Sequence, residues 1–270
     1  AIKTIKGSDL KNILVPFPSL AEQINISNAL SAYDDLIENN NRRIALLEES
    51  MRLLYREWFV NLRFPGHEQV RVVDGLPEGW TKGVFTDFIE VLSGGTPKTS
   101  ISEYWGGDIP WFTPQDLTGE FYVLDTLRKI TELGLSKCAS KLYPRQTVFI
   151  TARGTVGKCV LASVPMAMSQ TNYALLGKNN LSQFYVFLLT LSLVSELQKQ
   201  ATGAVFDTII VDTFRKMPVI IPPNNLVERF SDLCQSSFLM IENLQKSNKT
   251  LSTARDLLLP RLMSGEITMF

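Results

Sequence analysis

Two stretches of this chain carry the same pattern of apolar positions. In the first, Ile26, Leu30, Tyr33, Ile37, Asn40, Ile44, Leu47, Met51, Leu54 and Trp58 advance in alternating steps of four and three. In the second, Phe230, Cys234, Ser237, Ile241, Leu244, Asn248, Leu251, Arg255, Leu258 and Leu262 do the same. This spacing predicts two long helices, each with a narrow seam suited to knobs-into-holes pairing. Laid over each other without a gap, the copies match Ile37-Glu38-Asn39 with Ile241-Glu242-Asn243, and Leu53-Leu54 with Leu257-Leu258. The first helix is expected from about Ala21 to about Asn61, with Pro65-Gly66 breaking the chain beyond it. The second is expected from about Asn225 to about Ser264, stopping near Gly265 and kinked at Pro260. A proline-closed apolar stretch precedes each: Leu14-Val15-Pro16-Phe17-Pro18, and Met217 to Pro223.

Each seam carries one asparagine near its middle, Asn40 and Asn248. If the helices pair antiparallel with centres aligned, the two amides meet and satisfy each other. In a parallel, in-register pair each amide faces an apolar side chain. An unpaired buried amide costs roughly 1–3 kcal/mol, so antiparallel pairing is favoured and the pair fixes the register. The same alignment sets Arg255 opposite Tyr33, where it could lie over the ring. The alternative is that both asparagines occupy solvated positions.

Between the helices the pattern changes. Val84 to Leu92 is largely apolar and precedes a Gly-Gly-Thr-Pro turn. Ile109 to Thr113, Thr147 to Thr151, Cys159 to Ala162 and Tyr173 to Leu176 read as short strands, and Ser182 to Gln200 as an amphipathic helix. There is no regular βαβ alternation, so the middle body is α+β. The fold class expected is therefore one mixed α/β body plus two long helices forming an antiparallel coiled coil.

With 270 residues the chain has room for one large domain or two ordinary ones. Formal net charge is zero, which argues against a general polyanion binder. The average conceals a segregation. From Glu78 to Asp125 eight acidic residues face only Lys82 and Lys98; from Thr126 to Asn180 Arg128, Lys129, Lys137, Lys141, Arg145, Arg153, Lys158 and Lys178 face only Glu132. The basic half is either a phosphate-contacting surface or a face salt-bridged to the acidic half. Two loops carry suitable donors: Ser93-Gly-Gly-Thr-Pro-Lys-Thr99 and Thr151-Ala-Arg-Gly-Thr-Val-Gly157. The first lacks phosphate-loop spacing and has Pro97 ahead of the lysine. The second sets Arg153 in a glycine turn, from which a guanidinium can reach guanine edges or phosphate. Ser169-Gln-Thr-Asn172 adds amides that suit adenine edges.

Other chemistry is sparse. Cys138, Cys159 and Cys234 are odd in number and not at metal-ligand spacing, which reads as reduced thiols of a cytoplasmic protein. His67 is the single histidine. No signal peptide opens the sequence, and the apolar run Tyr185 to Val194 is too short for a bilayer span. Neither a GxSxG elbow, an HExxH helix nor an Asn/Asp-Pro-Pro-Tyr methyltransferase loop is present. Asp9-Leu-Lys11 has no acidic partner upstream and reads as a surface turn.

Several blocks together resemble the specificity subunit of type I restriction–modification systems. Leu76-Pro-Glu-Gly-Trp80 looks like the opening of that family's target recognition domain. Ser93 to Thr99, Tyr104-Trp-Gly-Gly-Asp-Ile-Pro-Trp111, Arg128-Lys-Ile-Thr131 and Thr151 to Lys158 are similar to its internal blocks, and Pro18-Ser-Leu-Ala-Glu-Gln23 to the start of its conserved helix. The resemblance implies residues 1–20 as the tail of a preceding recognition domain, 21–63 and 224–265 as spacer helices, and 64–223 as one complete recognition domain. The order looks like the C-terminal half of a full subunit, or a natural half-subunit able to form a homodimer. It implies a non-catalytic reader of double-stranded DNA that docks methyltransferase (modification) subunits, which bind S-adenosylmethionine, and motor-nuclease (restriction) subunits. This chain itself is expected to hold no cofactor or metal and to meet no membrane. The DNA-contact candidates are Lys98, Thr99, Arg128, Lys129, Arg153, Lys158, Gln170 and Asn172. A helix of the seam's length spans roughly 50 Å, about one and a half turns of DNA at ~34 Å per turn. A fragment of a fused restriction–methylation enzyme, and a scaffold whose helices simply join proteins, are the alternatives.

Overall fold

The computed structural model describes residues 18–201 and 208–267. Residues 14–17 of the first proline-closed stretch, and Asp9 to Lys11, lie outside them. The first long helix, α1 (Leu20–Tyr55), opens with reciprocal capping: the Ser19 amide donates to Glu22 at 2.7 Å and the Glu22 amide to the Ser19 hydroxyl at 3.4 Å. Its last turn widens into a π-helix over Arg56–Val60, in which the Asn61 amide reaches back to the Arg56 carbonyl at 2.8 Å. The extra residue breaks the four-three rhythm and lets the neighbours Trp58 and Phe59 both be buried. Leu62 takes a left-handed φ of 58° and ends the helix.

A hairpin of β1 (Val72–Val73) and β2 (Leu76–Pro77) turns on Asp74 and Gly75, both at positive φ. The apolar stretch Val84 to Leu92 is not one strand. It is cut into β3 (Thr81–Val84), a helical turn α2 (Phe85–Phe88) and β4 (Ile89–Ser93). The Asp87 carboxylate accepts the Val84 amide at 2.9 Å and so caps the turn, which places Phe85 and Ile89 both in the core. There follow β5 (Trp105–Phe112), β6 (Tyr122–Val123), β7 (Lys129–Ile130), α3 (Glu132–Ser136), β8 (Val148–Thr151), β9 (Cys159–Ala162), β10 (Ala167–Met168), β11 (Asn172–Gly177), α4 (Gln183–Ala201), α5 (Val211–Lys216), β12 (Pro218–Ile221) and α6 (Asn224–Met263). The last helix continues through Pro260 to Met263.

The largest sheet has the order β4-β11-β8-β9-β6, antiparallel except for the parallel pair β6–β9. Val148 to Thr151 are buried on both faces, which explains an apolar run without alternation. Helix α4 differs from its amphipathic reading: Phe184 to Leu189 are six consecutive buried residues. Aromatic rings surround it. Phe184 stacks on Phe238 at 4.3 Å, Phe187 meets Phe121 edge-on at 4.7 Å, and Tyr185 meets Phe59 at 5.0 Å. A smaller sheet runs β10-β5-β7, and β12 pairs antiparallel with β3.

The chain forms two compact units, residues 44–243 and residues 1–43 with 244–270. In the smaller, α1 and α6 run antiparallel. The Asn40 amide donates to the Asn248 Oδ1 at 2.9 Å, the Asn248 amide donates to Asn41 at 2.7 Å, and six residues back along α1 Asp34 meets Arg255. Arg255 does not lie over Tyr33. It pairs with Asp34 at 2.6 Å and Asp256 at 2.8 Å, since two full carboxylate charges outweigh a ring quadrupole. In the larger unit the seam residues Ile44, Met51, Trp58, Phe230, Cys234 and Ile241 are buried, and so are the flanking Glu48, Tyr55, Phe59, Phe238 and Glu242. The helices there are covered well beyond a heptad stripe. The division between the two compact units falls within both helices.

Candidate nucleic-acid interface

Strand register brings three loops to one end of the five-stranded sheet. Ser93, at the end of β4, pairs with Tyr173 near the start of β11; Asn172 pairs with Thr151 at the end of β8; and Ile150 pairs with Cys159 at the start of β9. The segments 94–101, 152–158 and 169–171 therefore leave the sheet side by side.

Their backbones are tied together. The Gly95 amide donates to the Met168 carbonyl at 2.9 Å, and the Ala152 amide to the Thr171 carbonyl at 2.9 Å. A Cβ on Gly94 would sit 2.1 Å from the Ser169 carbonyl oxygen, and one on Gly95 2.5 Å from the amides of Ala139 and Ser140. Only glycine permits that approach. The Thr96 hydroxyl bonds the Gln170 side-chain carbonyl. Two indoles hold the first loop: Trp111 donates to the Gly95 carbonyl at 2.9 Å and Trp105 to the Lys98 carbonyl at 3.2 Å. The Arg128 guanidinium lies over Trp105, 3.6 Å from the ring centroid, which joins β7's approach to the same loop. In the 152–158 turn, Gly154 and Gly157 take φ of 80° and 86°, and the Thr151 hydroxyl accepts the Lys158 amide at 3.0 Å.

Six of the eight sequence candidates thus gather on connected loops. Lys98, Thr99, Arg128, Arg153, Lys158 and Gln170 are all exposed. Among the described residues, none of their four cations ion-pairs with a carboxylate. Lys129 is half-buried and pairs with Asp125 at 3.4 Å, linking the basic half of the body to the acidic half. Asn172 differs from the other candidates: it is fully buried, its amide donates to the Ser169 hydroxyl at 2.9 Å, and its side-chain carbonyl has no partner among the described residues. The strand register turns it inward, where it shapes the 169–171 turn. The basic segment is also not one surface. Arg145 pairs with the buried Glu242, and the Lys178 ammonium donates to the Thr86 carbonyl at 2.6 Å. The sequence reading missed Trp105 and Trp111, whose roles depend on which loop each indole meets. Lys137 and Lys141, members of the basic segment, are both exposed and flank the Ala139-Ser140 backbone against Gly95.

Burial raises the Tyr173 hydroxyl above its ordinary pKa, with nearby Arg153 opposing the shift. Among the described residues no group of His, Cys, Asp and Glu is arranged to hold a metal ion, and no helix is long and apolar enough to cross a membrane.

This fold, a mixed sheet body with two long antiparallel helices, matches a known class. The chain belongs to the family of type I restriction modification DNA specificity domains, whose model matches residues 1–49 and 77–248. It is 28% identical over 271 residues to the MjaIX type I restriction enzyme specificity subunit of Methanocaldococcus jannaschii, a match covering 97% of this chain and 62% of that protein. It is likewise 28% identical to the HindI specificity subunit of Haemophilus influenzae, over 71% of this chain and 42% of that one. Among solved structures, the S subunit of a type I restriction-modification system from M. genitalium superposes with a TM-score of 0.66 at 17% identity, over 96% of this chain and 65% of that one. The chain therefore spans less than two thirds of the length of these relatives.

Proposed function

We propose that this chain is a non-catalytic DNA-recognition subunit of a type I restriction–modification complex, reading one half-site. The observation that carries this is the gathering of Lys98, Arg153 and Lys158 on loops that leave one sheet end side by side, with Arg128 laid over Trp105 against the first of them, all exposed and none neutralised by a carboxylate among the described residues. Cations placed this way hold phosphates, while the directional groups among them can face base edges. The paired helices serve as the spacer between this reader and a second one. They and their flanks dock modification subunits, which supply S-adenosylmethionine and methylate adenine, and restriction subunits join that complex. Two copies of such a reader, or a longer subunit, complete a bipartite site.

The test is duplex binding by the full chain, alone and with its modification subunits, across a salt series. Three phosphate contacts, from Lys98, Arg153 and Lys158, correspond to a slope of log affinity against log salt of roughly −2.7, with one short motif bound about a thousandfold or more above random duplex. Salt-independent binding, or no motif preference with partners present, would return the chain to the scaffold reading.

A further inference from the structure

Arg128 is mounted differently from the other exposed cations. Its backbone carbonyl accepts both the Trp111 amide at 3.1 Å and the Thr126 hydroxyl at 2.7 Å. Its guanidinium carbon lies 3.6 Å from the centroid of Trp105 and 5.4 Å from that of Trp111. The two indoles meet edge to face, 5.0 Å apart at 86°. Both indole N–H groups are already bonded to the carbonyls of Lys98 and Gly95, so neither ring can swing without releasing the loop. At 3.6 Å the guanidinium carbon lies over the face of Trp105, and among the described residues no carboxylate takes up its N–H donors. Arg128 is exposed and pairs with no carboxylate among the described residues.

A phosphate contact needs positive charge and tolerates a mobile side chain. A planar fork fixed against two anchored rings instead suits a target with two acceptors at set spacing. Guanine presents that in the major groove, through N7 and O6. Gln170 and Arg153 are directional groups at this site too, but the Gln170 carbonyl already accepts the Thr96 hydroxyl, which uses part of its hydrogen-bonding capacity, and among the described residues no ring is packed against the Arg153 guanidinium. We infer that Arg128 is a guanine-reading residue of the recognition site, with Trp105 and Trp111 as positioning residues that hold its fork. This rests on the DNA-recognition reading above.

The experiment is enrichment of bound duplexes from a randomised library by the full chain with its modification subunits. Wild type, Arg128→Gln, Arg128→Lys and Trp105→Leu are compared, with thermal melts to show each variant folds. The wild-type motif is expected to contain one guanine whose preference Arg128→Gln reduces about tenfold to a hundredfold, with the remaining positions unchanged. Trp105→Leu, which keeps the arginine, is expected to soften the same position alone. An intact motif in Arg128→Gln would overturn the inference. So would equal weakening on all duplexes, restored by Arg128→Lys, since that marks a phosphate contact. A wild-type chain that enriches no motif would fail at the recognition reading itself, and the assignment of Arg128 would fall with it.

Discussion

Arg153 sits in a turn whose conformation is set without it. Gly154 and Gly157 supply the positive φ, and Thr151 bonds the turn from within. Its side chain is therefore free to serve a ligand, and Arg153→Ala is expected to weaken duplex binding or relax the site by about 1–3 kcal/mol while leaving the melting temperature unchanged. Unchanged affinity and motif would remove Arg153 from the site. Glu48 is the opposite kind of residue, one whose charge the fold opposes. Burial raises its carboxyl above the ordinary 4.5, with Arg52 and the Phe121 amide pulling the other way. A raised folded pKa means that Glu48 favours the fold below its unfolded pKa, and that this contribution is lost as pH rises through the folded value. Glu48→Gln is thus expected to hold or raise the melting temperature at pH 7, with the difference closing as pH falls toward the carboxylate range. A loss at pH 7 would mean that the ion pair with Arg52 outweighs desolvation. At this scale the exposure of the cations was legible in the sequence and the burial of Asn172 was not. An amide beside Ser169 and Thr171 looks the same whether its strand turns it outward or, as here, into the core.

Among the elements, the helices were the most legible, because a seam of period 3.5 needs only the helix itself to appear. The asparagines carried long-range information as well, since two amides spaced to meet define both direction and register. Asn40→Ala is expected to cost about 1–3 kcal/mol by leaving the Asn248 carbonyl short of a donor. Replacing both Asn40 and Asn248 with leucine is expected to be neutral or stabilising while loosening register. Cysteines placed at 40 and 248 report the register directly: ready disulfide formation in the wild-type background and slower formation when the helices slip. Failure to crosslink would contradict the alignment. What the pattern could not show is the π-turn at Arg56–Val60 and the helical turn at Phe85–Phe88. Both depend on aromatic residues being claimed by the core, a tertiary demand that overrides local period. The burial of Phe184 to Leu189 in the first half of α4 escaped for the same reason, because only the packed structure supplies the rings around it.

For the whole molecule, the sequence blocks marked the family and the loops, while the strand order that sets those loops side by side appeared only in the fold. The proposed division of labour, readers at a distance set by helices, has a geometric consequence. Inserting one heptad into each helix at matched positions adds up to about 10 Å of helix, or about three base pairs of DNA at ~34 Å per turn. The spacer of the recognised site is expected to lengthen while both half-sites stay the same; an unchanged spacer would mean the helices do not set the reach. The most direct measurement is a genome-wide map of methylated adenines in cells with the gene, without it, and with the tied loops 93–101 and 151–158 exchanged for those of a relative. The account expects one bipartite motif that disappears without the gene and, when the loops are exchanged, changes in the half-site or half-sites that this body reads while the spacer stays the same. A methylation map that is the same in all three would contradict it.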